Sequence, residues 1–442
     1  MADMFRMARW RCLRGIRNIG RLTERRINGN DPATYAYDKA NRIKTITYRG
    51  KTVAYTYDGA GRLVSRTLPN GLIQTYTWNE VNEVTGISYK KPDGTVIESL
   101  TYAYDALGNP IRRSRSGAAS KQETGFSATY DAANRMLTYN GLPLTYDANG
   151  NLIARQTPSG TVTYAWNARN QLTQITGPNG TASFKYDHAG RRIEKTINGV
   201  TTTYLYDGNQ AIAELQGSSV GTTYLTGLQI DEVLAIYSNK GNRTALTDAL
   251  GSILALTDDT QATKTSYSYS PYGETQATGE ASDNPYQYTG RENDNTGLYY
   301  YRARYYMPDL KRFLTSDPIG LEGGINEYTY VENNPLTYID PDGLRAYQPP
   351  VPPRSISRPS SFRDPLRDIR QLGERTKSLL EKISDTLQHK EDEPKRDCEL
   401  WCKVPPSQPS QCPTDFNKPL WEKVQGPVLT APGSDICRLI CK

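Results

Sequence analysis

The feature that most constrains this chain is a repeat of about twenty residues. "YAYDKANRIKTITY" starts at Tyr35, "YTYDGAGRLVSRTL" at Tyr55, "YTWNEVNEVTGISY" at Tyr76 and "YAYDALGNPIRRS" at Tyr102. The series resumes with "LTYDANGNLIARQ" at Leu144, "YAWNARNQLTQIT" at Tyr164, "FKYDHAGRRIEKT" at Phe184 and "YLYDGNQAIAEL" at Tyr204. The Asp or Asn of the units falls at Asp38, Asp58, Asn79, Asp105, Asp131, Asp147, Asn167, Asp187 and Asp207, mostly 20 or 21 apart, with excursions to 26 and 16. Tyr-x-Tyr has the period of two of a strand. Asp/Asn-x-x-Gly/Asn then supplies a short polar side chain that bonds its own backbone, and a residue that tolerates positive φ. A second alternating run follows, such as Leu63-Val64-Ser65. One such hairpin cannot bury its apolar face alone, so neighbouring units must stack into a continuous sheet.

Composition agrees. The 442 residues hold 32 Tyr against 6 Phe, 36 Gly, and only 36% apolar residues. Tyr and Thr suit pleated, half-buried surfaces with a polar tip near water, which predicts a mainly β chain with room for more than one domain.

Downstream the texture tightens. "GLYYYRARYYMPDLKRFLTSDPIGL" spans 297–321 and "IDPDGL" spans 339–344. Asp317 and Asp340 are each followed by Pro and then by Gly two positions later. Pro fixes φ and Gly permits a tight turn, so two similar turns can aim two carboxyls at one spot. Carboxylates sharing a site cannot both ionise readily, so one serves as acid and its neighbour as base. The competing reading is that both are ordinary turn residues, as the repeat aspartates are. The cluster Tyr299, Tyr300, Tyr301, Tyr305 and Tyr306 reads as packing rather than chemistry.

The ordered series of units, followed by "GNRTALTDALGSILALTDD", "YSPYGE", "YQYTGRENDNTGLYYYRARYYMPDLKRFLTSDPIG" and "NEYTYVENNPLTYIDPDGL", resembles the Rhs/YD-repeat family and its Rhs-associated core over about residues 30–344. The resemblance implies β-hairpins forming a spiralling β-shell, here a partial one, closed by a core plug. It also implies self-cleavage of aspartic type just after Asp-Pro-x-Gly-Leu. Matched residue by residue, Asp317 and Asp340 take the aspartate positions, Arg304 the arginine position, and Leu344–Arg345 the cleaved bond. The variable tail of such proteins is typically a toxin. A cognate immunity protein, a longer shell and secretion machinery are the implied partners. The implied setting is bacterial competition or host intoxication, with export by a specialised route or display at the cell surface.

The resulting division is a basic lead-in at 1–30, a repeat sheet at 31–240, a core at 241–344, a Pro-rich linker at 345–365 and a variable domain at 366–442. In the lead-in, Arg6 to Arg26 carry eight Arg against Glu24 alone, and Phe5, Trp10, Leu13, Ile16, Ile19 and Leu22 lie about three apart. That spacing suggests a short amphipathic helix, set against a solvated basic stretch. No apolar run approaches the ~20 residues of a membrane helix, and no apolar secretory core follows the start.

After Leu344 only Tyr347 remains of the 32 Tyr, whereas 14 of 27 Pro lie there. Leu366, Ile369, Leu372, Leu379, Leu380, Ile383 and Leu387 fall near helical spacing, so the tail reads as a small α-rich domain. "CELWC" and "CRLIC" hold Cys398, Cys402, Cys437 and Cys441; on helices the i, i+4 spacing places two thiols on one face. Two disulfides, a four-thiolate zinc site and reduced core thiols all remain open, with disulfides favoured. The rest of the tail offers no Gly-rich phosphate loop, no His-Glu-x-x-His and one histidine, His389, in a charged run. Its 17 basic and 13 acidic residues permit nucleic acid without demanding it. No cofactor and no metal are called for. Other readings are a non-enzymatic surface or carbohydrate-binding repeat protein and an orphan cassette.

Overall fold

The computed structural model describes residues 12–17, 21–27, 30–117, 121, 123, 125–217 and 219–349, and the backbone of 398–403, 421–423 and 437–441. The chain divides into two compact units, Met1–Ser357 and Arg358–Lys442. In the first, ten strands run in sequence order from Cys12–Arg17 to Pro110–Arg115, each antiparallel to the next. A second sheet repeats this meander over sixteen strands, from Ala128–Tyr130 to Thr275–Gly279. A four-stranded sheet follows: Glu292–Asn293, Tyr299–Tyr301, Arg304–Met307 and Arg312–Phe313.

The turn chemistry read from the repeat is what joins the strands. Asp38 Oδ1 accepts from the Ala40 and Arg42 amides, both at 2.9 Å, and Asn41 has a φ of +62°. The same turn puts Gly61, Asn82, Gly108, Asn134, Gly150, Asn170 and Gly190 at positive φ, three residues after each Asp or Asn. In four turns an Arg one position further on clasps the Asp: Arg42, Arg62, Arg135 and Arg191. Each of these guanidiniums also lies over an aromatic of the next unit, as Arg42 does over Tyr57 at 4.5 Å. Asp207 departs from the pattern. It pairs with Gln210 across a two-residue turn, and its carboxylate meets Arg14 and Arg25.

The two aromatics of each unit do different work. The first is buried in the sheet's apolar face, as are Tyr35, Tyr55, Tyr164, Phe184 and Tyr204. The second keeps a polar tip, which donates to a backbone carbonyl one unit earlier. Tyr37 reaches Leu22, Tyr57 reaches Ile43, Trp78 reaches Leu63, Tyr104 reaches Val84, Trp166 reaches Leu152, Tyr186 reaches Leu172 and Tyr206 reaches Arg192, at 2.7–2.9 Å. Phe can fill the first position, as Phe184 does, but has no donor for the second, where Tyr or Trp stands.

Three apolar cores result. Ala33 to Leu63 pack on Leu225–Tyr237, so the two long sheets meet there. Met136 to Phe184 pack on Leu298, Tyr300, Tyr305 and Leu314. Strands from both long sheets surround Tyr299, Tyr301, Tyr306, Phe313 and Tyr330. The small sheet is thus covered on both faces, and five tyrosines within eight residues are core, as their clustering suggested. Ionic contacts reinforce the docking. Arg192 occupies the slot that holds Leu63, Leu152 or Leu172 in other units. It is fully buried, meets Glu292 at 2.7 Å and Asp294, and lies over the Tyr300 ring at 4.2 Å.

Several expectations change. The basic lead-in does not form a helix over its described part. Cys12–Arg17 and Arg21–Ile27 are antiparallel strands with a bulge after Gly15. A short helix must satisfy its own costly nucleus, whereas an existing sheet edge offers partners at once. The boundary read at 240/241 falls inside the ladder, between the paired strands Val233–Ser238 and Gly241–Thr247. In the second unit "CELWC" and "CRLIC" are also strands rather than helices, Cys398–Lys403 and Cys437–Cys441, flanked by Trp421–Lys423. Trp, Leu and Ile beside Cys favour a pleated surface over short helices. The helical pattern of 366–387 and residues 350–365 of the linker lie outside the described residues.

Replacing Arg192 by Met would leave Glu292 and Asp294 buried without their main counter-charge. We expect a loss of about 3–5 kcal/mol, seen as a lowered unfolding midpoint, with Arg191→Met near wild type as the control.

Candidate functional site

The two Asp-Pro turns come together on Arg304. Arg304 opens the strand Arg304–Met307, opposite Tyr301. That register places it on the face of the small sheet that carries Tyr299, Tyr301, Tyr306 and Phe313. Its guanidinium lies 3.7 Å from the centre of the Phe313 ring. Nη2 meets Asp317 Oδ2 at 2.7 Å and Asp340 Oδ2 at 3.4 Å. Nη1 donates to the Glu327 carbonyl at 2.8 Å and Nε to the Gly343 carbonyl. One cation therefore fixes both carboxylates and the loop that carries the second.

Each Asp also organises its own turn. Asp317 Oδ1 accepts from the Ile319 amide at 3.0 Å. Asp340 Oδ1 accepts from the Leu344 amide at 2.9 Å and the Arg345 amide at 3.2 Å. The nitrogen of the Leu344–Arg345 bond thus sits against one carboxyl. Its carbonyl oxygen and the other carboxyl both border Gly323: a Cβ added there would overlap Asp317 Oδ2 and stand 2.6 Å from the Leu344 oxygen.

The loop 340–344 is held by the turn between the strands Tyr299–Tyr301 and Arg304–Met307. The Ala303 amide donates to the Asp342 carbonyl at 3.1 Å, and Arg302 reaches the Pro341 carbonyl while paired with Asp231. Gly343 has φ +69°, and a Cβ there would run into the Tyr301 carbonyl and Arg304 amide, so only glycine fits. Beyond the bond, Ile339 and Tyr347 exchange two backbone hydrogen bonds of 2.8 and 2.7 Å.

Burial governs the electrostatics. It pushes the Asp340 carboxyl up to about 6, against the pull of Arg304 and the two backbone amides. Asp317 is also raised by burial, with Arg304 opposing. Burial lowers Arg304, while the two carboxylates counteract it. A buried cation with one ionised carboxylate is neutral, whereas two ionised carboxylates leave a net negative charge without solvent. Ionisation of both carboxyls at once is thus disfavoured, and it is the deeper one, Asp340, whose pKa is raised to about 6.

All five residues singled out in the sequence, Arg304, Asp317, Asp340, Leu344 and Arg345, meet at this point. Sequence reasoning missed Arg302, Asp231, Phe313 and the Glu327 carbonyl. Arg302 was legible as the neighbour of Arg304 in "YRARYY", but nothing local marks Asp231, 71 residues away. Cys398, Cys402, Cys437 and Cys441 belong to the second unit. There the backbone register sets Cys398 opposite Cys441 and Cys402 opposite Cys437. Among the described residues no group of three or more His, Cys, Asp or Glu side chains is arranged to hold a metal ion. Among the same residues no helix is long and apolar enough to cross a membrane.

Comparison with known proteins gives this arrangement a family. Residues 72–336, well over half of the chain, match the Teneurin YD-shell family, and residues 37–73 match the RHS repeat. The tRNA nuclease WapA of Bacillus subtilis (strain 168) is 33% identical over 270 residues, which is 57% of this chain and 11% of that protein. Double-stranded DNA deaminase toxin A of Burkholderia cenocepacia is 27% identical over 334 residues, 70% of this chain and 22% of its own. Toxin subunit YenC1 of Yersinia entomophaga is 46% identical over 100 residues, 22% of this chain and 10% of its own. The chain therefore spans only about a tenth to a fifth of the length of these relatives. A crystal structure of TcdB2-TccC3-Cdc42 superposes with a TM-score of 0.59 at 22% identity, covering 76% of this chain and 22% of that one, a likeness of fold. With its repeat, its sheets and the extent of the match in agreement, the chain belongs to the Rhs/YD-repeat shell family.

Proposed function

We propose that the chain is the C-terminal shell segment of a toxin-type Rhs protein, which cuts its own Leu344–Arg345 bond and so separates residues 345–442 from the shell. The observation that carries this reading is the placement of that bond. Its nitrogen is hydrogen-bonded to one carboxyl of a pair joined by a single buried arginine. The toxin names of the relatives support the role of the tail, whose activity and target are its own. Release into a rival or host cell, export by a specialised route, assembly with a longer shell and neutralisation by a cognate immunity protein belong to the same proposal.

The reaction is hydrolysis, with water as co-reactant. Asp317, held ionised by Arg304, takes a proton from a water that adds to the Leu344 carbonyl carbon. The nitrogen then becomes an amine within reach of Asp340, which donates its proton as the C–N bond breaks. Collapse of the adduct leaves a Leu344 carboxylic acid and an Arg345 amine; the acid then gives its proton to the amine, yielding carboxylate and ammonium, and the first proton from water remains on Asp317 until it passes to solvent. Arg304 orients both groups throughout.

Intact mass under denaturing conditions tests the proposal. Wild type is expected as two pieces, ending at Leu344 and starting at Arg345, while Asp340→Asn, Asp317→Asn and Arg304→Gln stay whole. Wild type that stays whole after prolonged incubation at pH 5 would sink the reading. The rate is expected to fall as pH rises through about 6, where Asp340 loses its proton. It should fall again at acidic pH as Asp317 becomes protonated. A rate that climbs through neutrality would contradict the assigned roles.

We further propose disulfides Cys398–Cys441 and Cys402–Cys437 in the tail, which rest on the backbone register. Four strand residues span ~13 Å, so the two pairs are too far apart for one zinc ion with Zn–S distances of ~2.3 Å. The non-reduced tail should be lighter than the reduced one by four hydrogens. Complete alkylation of all tail cysteines without reductant would overturn the pairing.

A further inference from the structure

We infer that Gly323 is a positioning residue for the cut, chosen for the side chain it lacks. The inference rests on the cleavage reading above and adds the element that brings the carbonyl end of the bond to Asp317. Gly323 closes a short 3-10 turn, Gly320–Gly323, between the two Asp-Pro motifs. Unlike Gly320 and Gly324 it has no positive φ, so its backbone is open to any residue. What excludes other residues is space. The position of a Cβ is already taken by Asp317 Oδ2, with Asp317 Cγ at 2.8 Å and the Leu344 carbonyl oxygen at 2.6 Å.

Asp317 and the Leu344 carbonyl therefore crowd one point on the turn's surface. Neither neighbour can yield freely. Asp317 is tied to Arg304 at 2.7 Å and to the Ile319 amide at 3.0 Å. Leu344 is tied through its own amide to Asp340 at 2.9 Å. A methyl group at 323 must push one of them aside, and the looser is the carbonyl, whose oxygen accepts no hydrogen bond from the described residues. The amide side of the bond would stay on Asp340 while the carbonyl leaves Asp317. Gly323 thus acts on the addition of water and not on protonation of the leaving nitrogen.

The test compares Gly323→Ala with Gly324→Ala. The second strains the end of the same turn, since Gly324 sits at φ +141°, but a new Cβ there meets nothing within 4 Å, so it adds no crowding. Cleavage is followed by intact mass against time, from pH 4 to 8, on the full chain. We expect Gly323→Ala to cut ~100-fold more slowly, the cost of displacing a reacting atom by about an ångström. Its residual rate should keep the wild-type midpoint near pH 6, because the surroundings of Asp340 are untouched, and Gly324→Ala should cut near the wild-type rate. Cleavage of Gly323→Ala at the wild-type rate would overturn the inference. So would equal slowing in Gly324→Ala, or a midpoint that falls to the ordinary carboxylate range, since either would point to a disrupted turn. An uncut wild type would instead remove the cleavage reading, and this inference with it.

Discussion

Everything in the first unit depends on an aromatic ring with a donor at its tip. A long antiparallel meander satisfies its backbone along each strand, but it needs something to fix each hairpin against the one before. Here the second aromatic of a unit lays its ring on the sheet and spends its hydroxyl or indole N–H on a carbonyl 14 to 20 residues back, as Tyr57 does at Ile43 and Tyr104 at Val84. The hydrophobic gain and a satisfied polar tip come from the same side chain. Arginine completes the joint where the turn carries one, bonding the Asp of its own turn while covering the next unit's ring. The contacts are local and repeat down the chain, so sheets of ten and sixteen strands can be built from a sequence with modest apolar content.

Onto this scaffold the small sheet is fixed by charges in apolar surroundings. Arg192 with Glu292 and Asp294, and Asp231 with Arg291 and Arg302, are buried pairings between residues far apart in sequence. Such pairs add little net stability, since desolvation offsets their attraction, but a misplaced register would leave a charge stranded. They therefore specify where the small sheet sits. Arg302 passes that precision to the loop 340–344 through the Pro341 carbonyl, one residue from the carboxyl that touches the Arg345 amide.

How much of this the sequence disclosed follows from the range of each interaction. The strands and turns were legible because Tyr-x-Tyr and Asp-x-x-Gly act within a few residues. The meeting of Arg304, Asp317 and Asp340 was legible only through likeness to a family, because no spacing rule brings three separate turns to one point. Arg192 left a usable trace, a charge where sister units carry Leu. Asp231 left none, since its role is defined by residues 60 and 71 positions away. The helix that the lead-in spacing suggests does not form over 12–17 and 21–27, because three-residue spacing on a short stretch also fits a bulged strand, and the sheet edge that decides the matter is not encoded locally. The same holds for "CELWC" and "CRLIC", whose strand state comes from their pairing with each other.

The bridge between Ile339 and Tyr347 spans the Leu344–Arg345 bond from outside. Cutting that bond would change the chain's connectivity without parting its two ends, because residues on both sides remain joined by a pair of backbone hydrogen bonds. The immediate product would be a nicked complex whose tail is held by association alone. Separation would then be a dissociation event with its own rate, set by what else grips the tail and by how readily this last rung frays. The timing of separation would then pass from the cut to whatever loosens the rung.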